Sequence, residues 1–327
     1  MTTVMAGMDA EDWSTESLTR LPEALPETLS HLSAVAMIGY GAYAQVVEVH
    51  NEDDGCRYAL KVVEKEPLAV RGMIPQLARE FGVQRCLRHP HIACAVDLAE
   101  DHSHAYMILD LCTGGSVWQT THTFPGSVVP EPLAAAWLSG TVAGVAHLHD
   151  LGLMHRDIKL ENLLLDAEGR VRICDFGWCA FEEDDLSGMC GTPQLAAPEV
   201  VLGERHSTKM DVWALGACLV QLLKGQALAG PQDAFLPETA SPDAQDLAGG
   251  LLNLDPGLRI TARAALRRRL LKEAAPSPRV PSPPAAAAVG ADTASLLASA
   301  RRCLNSMQEL QGALPPESEL CLGLQEA

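Results

Sequence analysis

The sequence predicts an α+β chain of two lobes, a small β-rich lobe followed by a larger helical one, with a cleft where they meet. Three observations predict it. Short β-like runs dominate from about residue 33 to 110. From Pro130 onward, apolar residues recur with helical spacing. A dense polar string, His155-Arg156-Asp157-Ile158-Lys159-Leu160-Glu161-Asn162, interrupts the helical half and is followed eighteen positions after Asp157 by Asp175-Phe176-Gly177.

The elements follow in order. Residues 1–32 are acidic and rich in Ser, Thr and Pro, and read as a disordered leader. Ser33–Ile38, Val46–His50 and Tyr58–Glu64 are strand-like, and Asn51-Glu52-Asp53-Asp54-Gly55 makes the turn between the last two. Gln76–Leu87 has helical spacing of Leu77, Phe81 and Leu87 and stops at His89-Pro90. Ala105–Leu111 is a further apolar strand, so the small lobe spans about 33–111 and the helical lobe about 112–271. After Lys272 the composition turns to Pro, Ser and Ala, a linker over 272–291. A helix over 292–312 starts at an Asp292 cap and places Leu297, Ala300, Leu304 and Met307 on one face, ahead of a tail at 313–327.

Composition narrows the function classes. The 327 residues are 47% hydrophobic, enough for a sizeable core. A net charge of −18 argues against a nucleic-acid surface. Ten cysteines without a CxxC pair resemble neither a zinc site nor a disulfide framework, and fit a reducing compartment. The N-terminus lacks a signal peptide's basic start and apolar stretch, and Thr2 excludes myristoylation. No apolar run reaches membrane-span length, since His147, His149 and Asp150 interrupt the richest, Leu133–Leu153. The expectation is a soluble cytoplasmic or nuclear protein.

The string from His155 to Asn162, with Asp175-Phe176-Gly177, resembles the signature of the eukaryotic Ser/Thr protein kinases. The resemblance covers about residues 33–271 and implies the bilobal kinase fold, ATP and Mg²⁺ as cofactors, and transfer of the γ-phosphoryl group to Ser/Thr hydroxyls of protein substrates. Ile38-Gly39-Tyr40-Gly41-Ala42-Tyr43-Ala44-Gln45-Val46 resembles the family's glycine-rich loop, where Gly39 and Gly41 let backbone approach phosphate oxygens; Ala44 replaces the third glycine. Lys61 resembles the lysine that touches the α- and β-phosphates, and Glu80, nineteen residues on, its pairing glutamate. Val46, Ala59 and Leu164 are implied to sandwich adenine, Leu109 to guard the back pocket, and backbone of Asp110 and Cys112 to meet the base's edge.

The same resemblance implies that Asp157 orients and deprotonates the acceptor hydroxyl and Lys159 stabilises the transferring phosphoryl group, while Asn162 and Asp175 ligate Mg²⁺. Lys159 and Gly191-Thr192-Pro193 favour Ser/Thr acceptors, and Glu161 resembles a contact for basic residues upstream of the acceptor. Glu199 is implied to pair with Arg259, and Asp211 to hold the catalytic loop. Arg156 before Asp157 suggests that phosphate at Ser187, or the run Glu182-Glu183-Asp184-Asp185, orders the activation segment. Between Leu223 and Phe235 the chain is shorter than the family pattern, so the substrate-side helix region is reduced. Asp175-Phe176-Gly177-Trp178 looks Aurora-like and Arg71-Gly72-Met73 polo-like, leaving the subfamily open. A scaffold that binds nucleotide or partners without turnover is the competing reading, favoured by Ala44 and the clipped lobe. Residues 292–312 are read as a partner-binding or autoinhibitory helix, or as one that packs on the domain.

Overall fold

The computed structural model describes residues 25–41, 43–184 and 186–274. Strands β1 (Leu32–Tyr40), β2 (Ala44–Asn51) and β3 (Arg57–Glu64) come first. Helices α1 (Glu66–Val70) and α2 (Ile74–Cys86) follow, then β4 (Ala95–Glu100) and β5 (His104–Asp110). These strands form one antiparallel sheet in the order β1-β2-β3-β5-β4. Valines at 46, 47 and 49 and the run from Ala59 to Val63 supply the β-branched, half-buried character that a pleated surface favours. Between β2 and β3 the turn is closed by Asn51, whose Oδ1 accepts from Asp53 N–H at 2.9 Å, with Gly55 in the left-handed region at φ +70°.

Helix α2 begins after Met73 with a proline in its first turn and lays Ile74, Leu77, Ala78 and Phe81 against Val63, Ala95, Ala105 and Met107. It runs two residues earlier than its apolar spacing suggests, because Pro75 is compatible with a first helical turn. Strand β4 has no counterpart among the elements expected from the sequence: with Asp97 and Glu100 in it and only Ala95 fully buried, its alternation is weak, and pairing with β5 creates it. The boundary of the leader is also corrected. Leu29 and Leu32 are buried with Val47, Val49, Leu60 and Tyr106. Two leucines inside an acidic, Pro-containing stretch therefore belong to the small lobe, and the hydrophobic effect of covering that face of the sheet holds them there.

The large lobe continues with α3 (Val117–Thr121), α4 (Glu131–Asp150), β6 (Leu153–Met154), β7 (Leu163–Leu165), β8 (Val171–Ile173), β9 (Ala180–Phe181), α5 (Pro198–Val201), α6 (Lys209–Lys224), α7 (Pro242–Leu251), α8 (Ala262–Ala265) and α9 (Arg269–Lys272). Helices α4 and α6 are apolar on most faces and form the centre of the large core, where Trp137, Leu138, Val142, Leu215 and Leu219 are buried. Helix α6 ends at Gly225 with φ +67°. A Cβ there would lie 2.1 Å from Gly126 O, so the position needs glycine for conformation and for space. Between α6 and α7 the chain makes only a 3₁₀ turn, Pro231–Asp233, which is the shortened region anticipated above. The linker, the helix at 292–312 and the tail lie outside the described residues.

Three histidines join the lobes behind the cleft. His89, in the loop after α2, stacks on His147 of α4 with centroids 5.0 Å apart and lies 5.7 Å from His91. Burial, and then the neighbouring His147, His91 and Arg172, push the His89 pKa down to about 4 from 6.5. A depressed histidine stays neutral in the fold while the unfolded chain takes up the proton. The contribution of His89 should therefore fall as pH drops from about 6.5 to about 4 and level off below. His89→Asn should flatten that part of the Tm-versus-pH curve; an unchanged curve would show that His89 is not the titrating group.

Candidate active site

The polar string is placed by three short elements, β6, a 3₁₀ turn and β7, and is anchored by α6. Strand β6 delivers His155 and Arg156, and a 3₁₀ turn, Leu160–Asn162, reverses the chain into β7. Leu160 is buried, so this position contributes to packing in the large core. Asp211, on α6 and 1% exposed, anchors the loop from below. Its carboxylate accepts from the backbone N–H of His155 at 2.9 Å and of Arg156 at 2.8 Å, and from His149 Nε2 at 2.9 Å. Burial opposes its charge, but the hydrogen bonds from His149 and His155 prevail and hold Asp211 below the usual carboxylate range. Arg156 has φ +68° and Asp175 φ +62°, non-glycine residues in the left-handed region. Such strain survives only where surrounding bonds over-determine it, and here it brackets the site.

The Asp157 carboxylate is the hub. Its Oδ1 accepts from Thr192 Oγ1 at 2.8 Å, and its Oδ2 lies 2.9 Å from Lys159 Nζ and 3.0 Å from Asn162 Nδ2. Lys159 also donates to Thr192 Oγ1 at 3.0 Å. Asn162 donates as well to Asp157 O at 2.9 Å, so its amide nitrogen is committed to Asp157 and what it has left to give is an oxygen acceptor. Gly191, one residue before Thr192, has φ +66°, and a Cβ there would meet Arg156 O at 2.3 Å and Asp157 Oδ1 at 3.2 Å. Gly191→Ala is expected to pull Thr192 off Asp157 and reduce turnover by roughly tenfold or more; unaltered kcat would refute this.

Across the cleft, Lys61 on β3 is hydrogen-bonded to Glu80 on α2, and its Nζ lies 4.0 Å from Asp175 Oδ1. Lys61 is 7% exposed and Glu80 fully buried. Burial alone would discharge the ammonium, but Glu80 and Asp175 outweigh it and raise its pKa, keeping Lys61 charged. The second oxygen of Glu80 is buried without a hydrogen-bond partner. The sheet register sets Gly39 opposite Val46, Val46 opposite Lys61, and Ala59 opposite Leu109. Ile38 and Gly39 are on β1, and Gly41 N–H donates to Ala44 O at 2.7 Å, closing the tip of the loop. Asp110 ends β5, Cys112 lies in the connection to the large lobe, and Leu164 is on β7. Burial pushes the Cys112 thiol up to about 12, which makes it an apolar wall. Direct contacts thus bring together Lys61, Glu80 and Asp175, and separately Asp157, Lys159, Asn162 and Thr192, while Ile38, Gly39, Gly41, Val46, Ala59, Asp110, Cys112 and Leu164 are placed by their strands and connections.

Three contacts escape the sequence patterns. Gln76 donates its side-chain amide to Gly177 O, and Arg79 lies 3.4 Å from Asp184. Both come from α2, and Gln76 is one turn before Glu80 on the same face, a spacing that could have flagged it. The third is Arg172, which interrupts the apolar strand Val171–Ile173. The expected pair is present: Arg259 reaches Glu199 with two bonds of 2.6 and 2.8 Å.

A sheet-and-helix cleft with one carboxylate hub and a buried lysine–glutamate pair is the architecture of a phosphotransferase of the kinase type. The model of the protein kinase domain matches residues 32–271, and the chain belongs to the protein kinase family. Among similar proteins, the hormonally up-regulated neu tumor-associated kinase of Homo sapiens is 30% identical over 265 residues, covering 75% of this chain and 37% of that protein. The Arabidopsis thaliana serine/threonine-protein kinase AtPK2/AtPK19 is 31% identical over 246 residues, covering 71% and 52% respectively. The CBL-interacting protein kinase 4 of Oryza sativa is 31% identical over 247 residues, covering 70% and 54%. The chain thus spans between about a third and about half of the length of these relatives. Among the described residues, no helix is long and apolar enough to cross a membrane.

Proposed function

We propose that this protein is a serine/threonine kinase that uses Mg-ATP and acts on protein substrates. The observation that carries it is the Asp157 carboxylate held by Lys159, Thr192 and Asn162, together with the Lys61–Glu80 pair whose ammonium lies 4.0 Å from Asp175. Asp157 orients an acceptor hydroxyl and takes its proton as the hydroxyl oxygen forms the new bond to the γ-phosphorus. The bond from that phosphorus to the bridging oxygen breaks, and ADP leaves with the electron pair. Lys159 stands beside Asp157 to balance charge on the phosphoryl group in flight. Lys61, kept positive by Glu80, fits the α- and β-phosphates. Asn162 and Asp175 offer oxygen donors of the type Mg²⁺ takes, and Mg²⁺ would supply neutralisation of phosphate charge there.

Thr192 belongs to the segment that would receive the substrate, and its hydrogen bond to Asp157 couples that segment to the reacting group. Glu161 and the −18 net charge support a basic peptide as acceptor sequence. The reduced region around Pro231–Asp233 leaves less helical surface for substrate docking. The Arg79–Asp184 ion pair ties the acidic run to α2, which supports built-in charge as the element that orders the activation segment. Ser187 is exposed and bridges Arg205 through its backbone, open to a kinase as a second route to the same end. The test is transfer of labelled γ-phosphate from Mg-ATP to a basic Ser/Thr peptide panel. Transfer by the wild type and none by Asp157→Asn supports the reading. ATP binding without transfer, before and after phosphorylation of Ser187, would support the non-catalytic scaffold.

A further inference from the structure

Strand β8 is Val171-Arg172-Ile173, two apolar residues flanking an arginine that is 8% exposed. An arginine at that depth needs partners. It has two, on different sides. Its Nε lies 3.3 Å from Asp166 Oδ2 within the large lobe, and a terminal nitrogen lies 3.6 Å from Asp110 Oδ2 at the end of β5. Asp166 is independently held by Arg170 Nε at 2.8 Å, so it does not depend on Arg172. The register pairs Arg172 with Leu164, the residue read as the floor of the base site.

Asp110 is the residue that passes the chain from the sheet to the large lobe. Its N–H donates to Cys94 O at 3.1 Å, and its Oδ2 accepts from Cys94 N–H at 3.2 Å. With the N–H committed, the Asp110 carbonyl is the backbone group that can serve a base's edge. Four residues on, Gly114 N–H donates to Leu165 O at 2.9 Å, and Leu165 N–H donates to Gly115 O at 2.8 Å. The far end of the connection is therefore pinned to β7 by backbone. The near end is pinned to the β7–β8 ribbon by the Arg172–Asp110 ion pair. Asp110 is also tied to the ribbon indirectly, through Cys94 and the bonds of Ala93 N–H to Ile173 O and of Ile173 N–H to His91 O, each 2.9 Å; the ion pair is the direct side-chain tie from β8 to the edge of the base site. The loop that carries Asp157 hangs from a separate anchor, Asp211.

We propose that Arg172 is a positioning residue for nucleotide binding: its bridge from Asp166 to Asp110 holds the interlobe connection at the spacing from Leu164 that accepts an adenine. The proposal rests on the reading of the cleft as an ATP site. Loss of the bridge leaves the connection with more conformations to give up on binding, which weakens affinity without touching the transfer step.

The experiment measures KM for Mg-ATP, kcat, and calorimetric Mg-ATP affinity for the wild type, Arg172→Met, Arg172→Lys, Asp110→Asn and the Arg172→Met/Asp110→Asn double variant. Arg172→Met should raise KM and Kd for Mg-ATP about tenfold with kcat within about twofold. Asp110→Asn should raise KM similarly, and the double variant should be no worse than either single, as a shared interaction requires. Arg172→Lys should recover most of the affinity through its retained charge. Should Arg172→Met fail to fold, Asp110→Asn decides alone, because it leaves the Arg172–Asp166 pair in place. An unchanged KM in folded Asp110→Asn, strictly additive effects, or a fall in kcat with KM intact would each overturn the proposal. A wild type that binds no Mg-ATP would instead overturn the ATP reading. A wild type that binds Mg-ATP but transfers nothing still reports on Arg172 through Kd.

Discussion

Asp157→Asn is expected to lower phosphoryl transfer by about a thousandfold while the protein stays folded and binds Mg-ATP. The change is nearly isosteric, so packing is preserved. Its chemistry is not. The carboxylate meets donors at both oxygens, Thr192 at Oδ1 and Lys159 with Asn162 at Oδ2. An amide can accept on only one atom, and its NH₂ would then face another donor. The variant therefore loses the proton acceptor and also loosens the links to Lys159 and Thr192. Initial rates of labelled phosphate transfer at saturating peptide and Mg-ATP read the effect, with circular dichroism as the folding control. A residual rate within tenfold of wild type would remove Asp157 from the role of base.

The second large effect is on stability. Arg259→Met should destabilise the large lobe by about 3–5 kcal/mol, a fall in Tm of roughly 6–20 °C for a domain of this size. Arg259 is 1% exposed and Glu199 3% exposed, and they are joined by two bonds of 2.6 and 2.8 Å. The guanidinium also donates to Lys209 O at 2.7 Å and to Asn253 O at 3.0 Å, and lies 5.2 Å from the Trp213 ring centroid. Its removal leaves Glu199 buried without a counter-charge, and the penalty is that orphaned charge more than the lost attraction. Arg259→Met combined with Glu199→Gln should recover part of the loss. Denaturant or thermal unfolding decides it: a change below about 1 kcal/mol in the single variant would show that the pair is replaceable.

The elements legible in the amino-acid sequence are those whose signal is local. The three N-terminal strands announce themselves through β-branched runs and the Asn51–Gly55 turn, and α2 through the spacing of Leu77 and Phe81. Strand β4 is not legible, because an edge strand with Asp97 and Glu100 has no alternation until β5 pairs with it. Leu29 and Leu32 are hidden in the same way, by an acidic neighbourhood that says nothing about the face they cover.

The site divides along the same line. Chemistry that must sit close together is written close together, since Asp157, Lys159 and Asn162 fall within one turn of backbone, and Asp175 follows across a short β7–β8 ribbon. The groups proposed as proton acceptor, cationic neighbour and oxygen donors are legible in the order of residues alone, and with them the family. What aims and holds these groups comes from tertiary contacts. The anchoring of the loop by Asp211 comes from α6, the tie of α2 to Gly177 from Gln76, and the bridge from β8 to the interlobe connection from Arg172. Each joins residues far apart in the chain, and each depends on burial that weakens competition from water, a condition that the folded packing creates and no local pattern encodes.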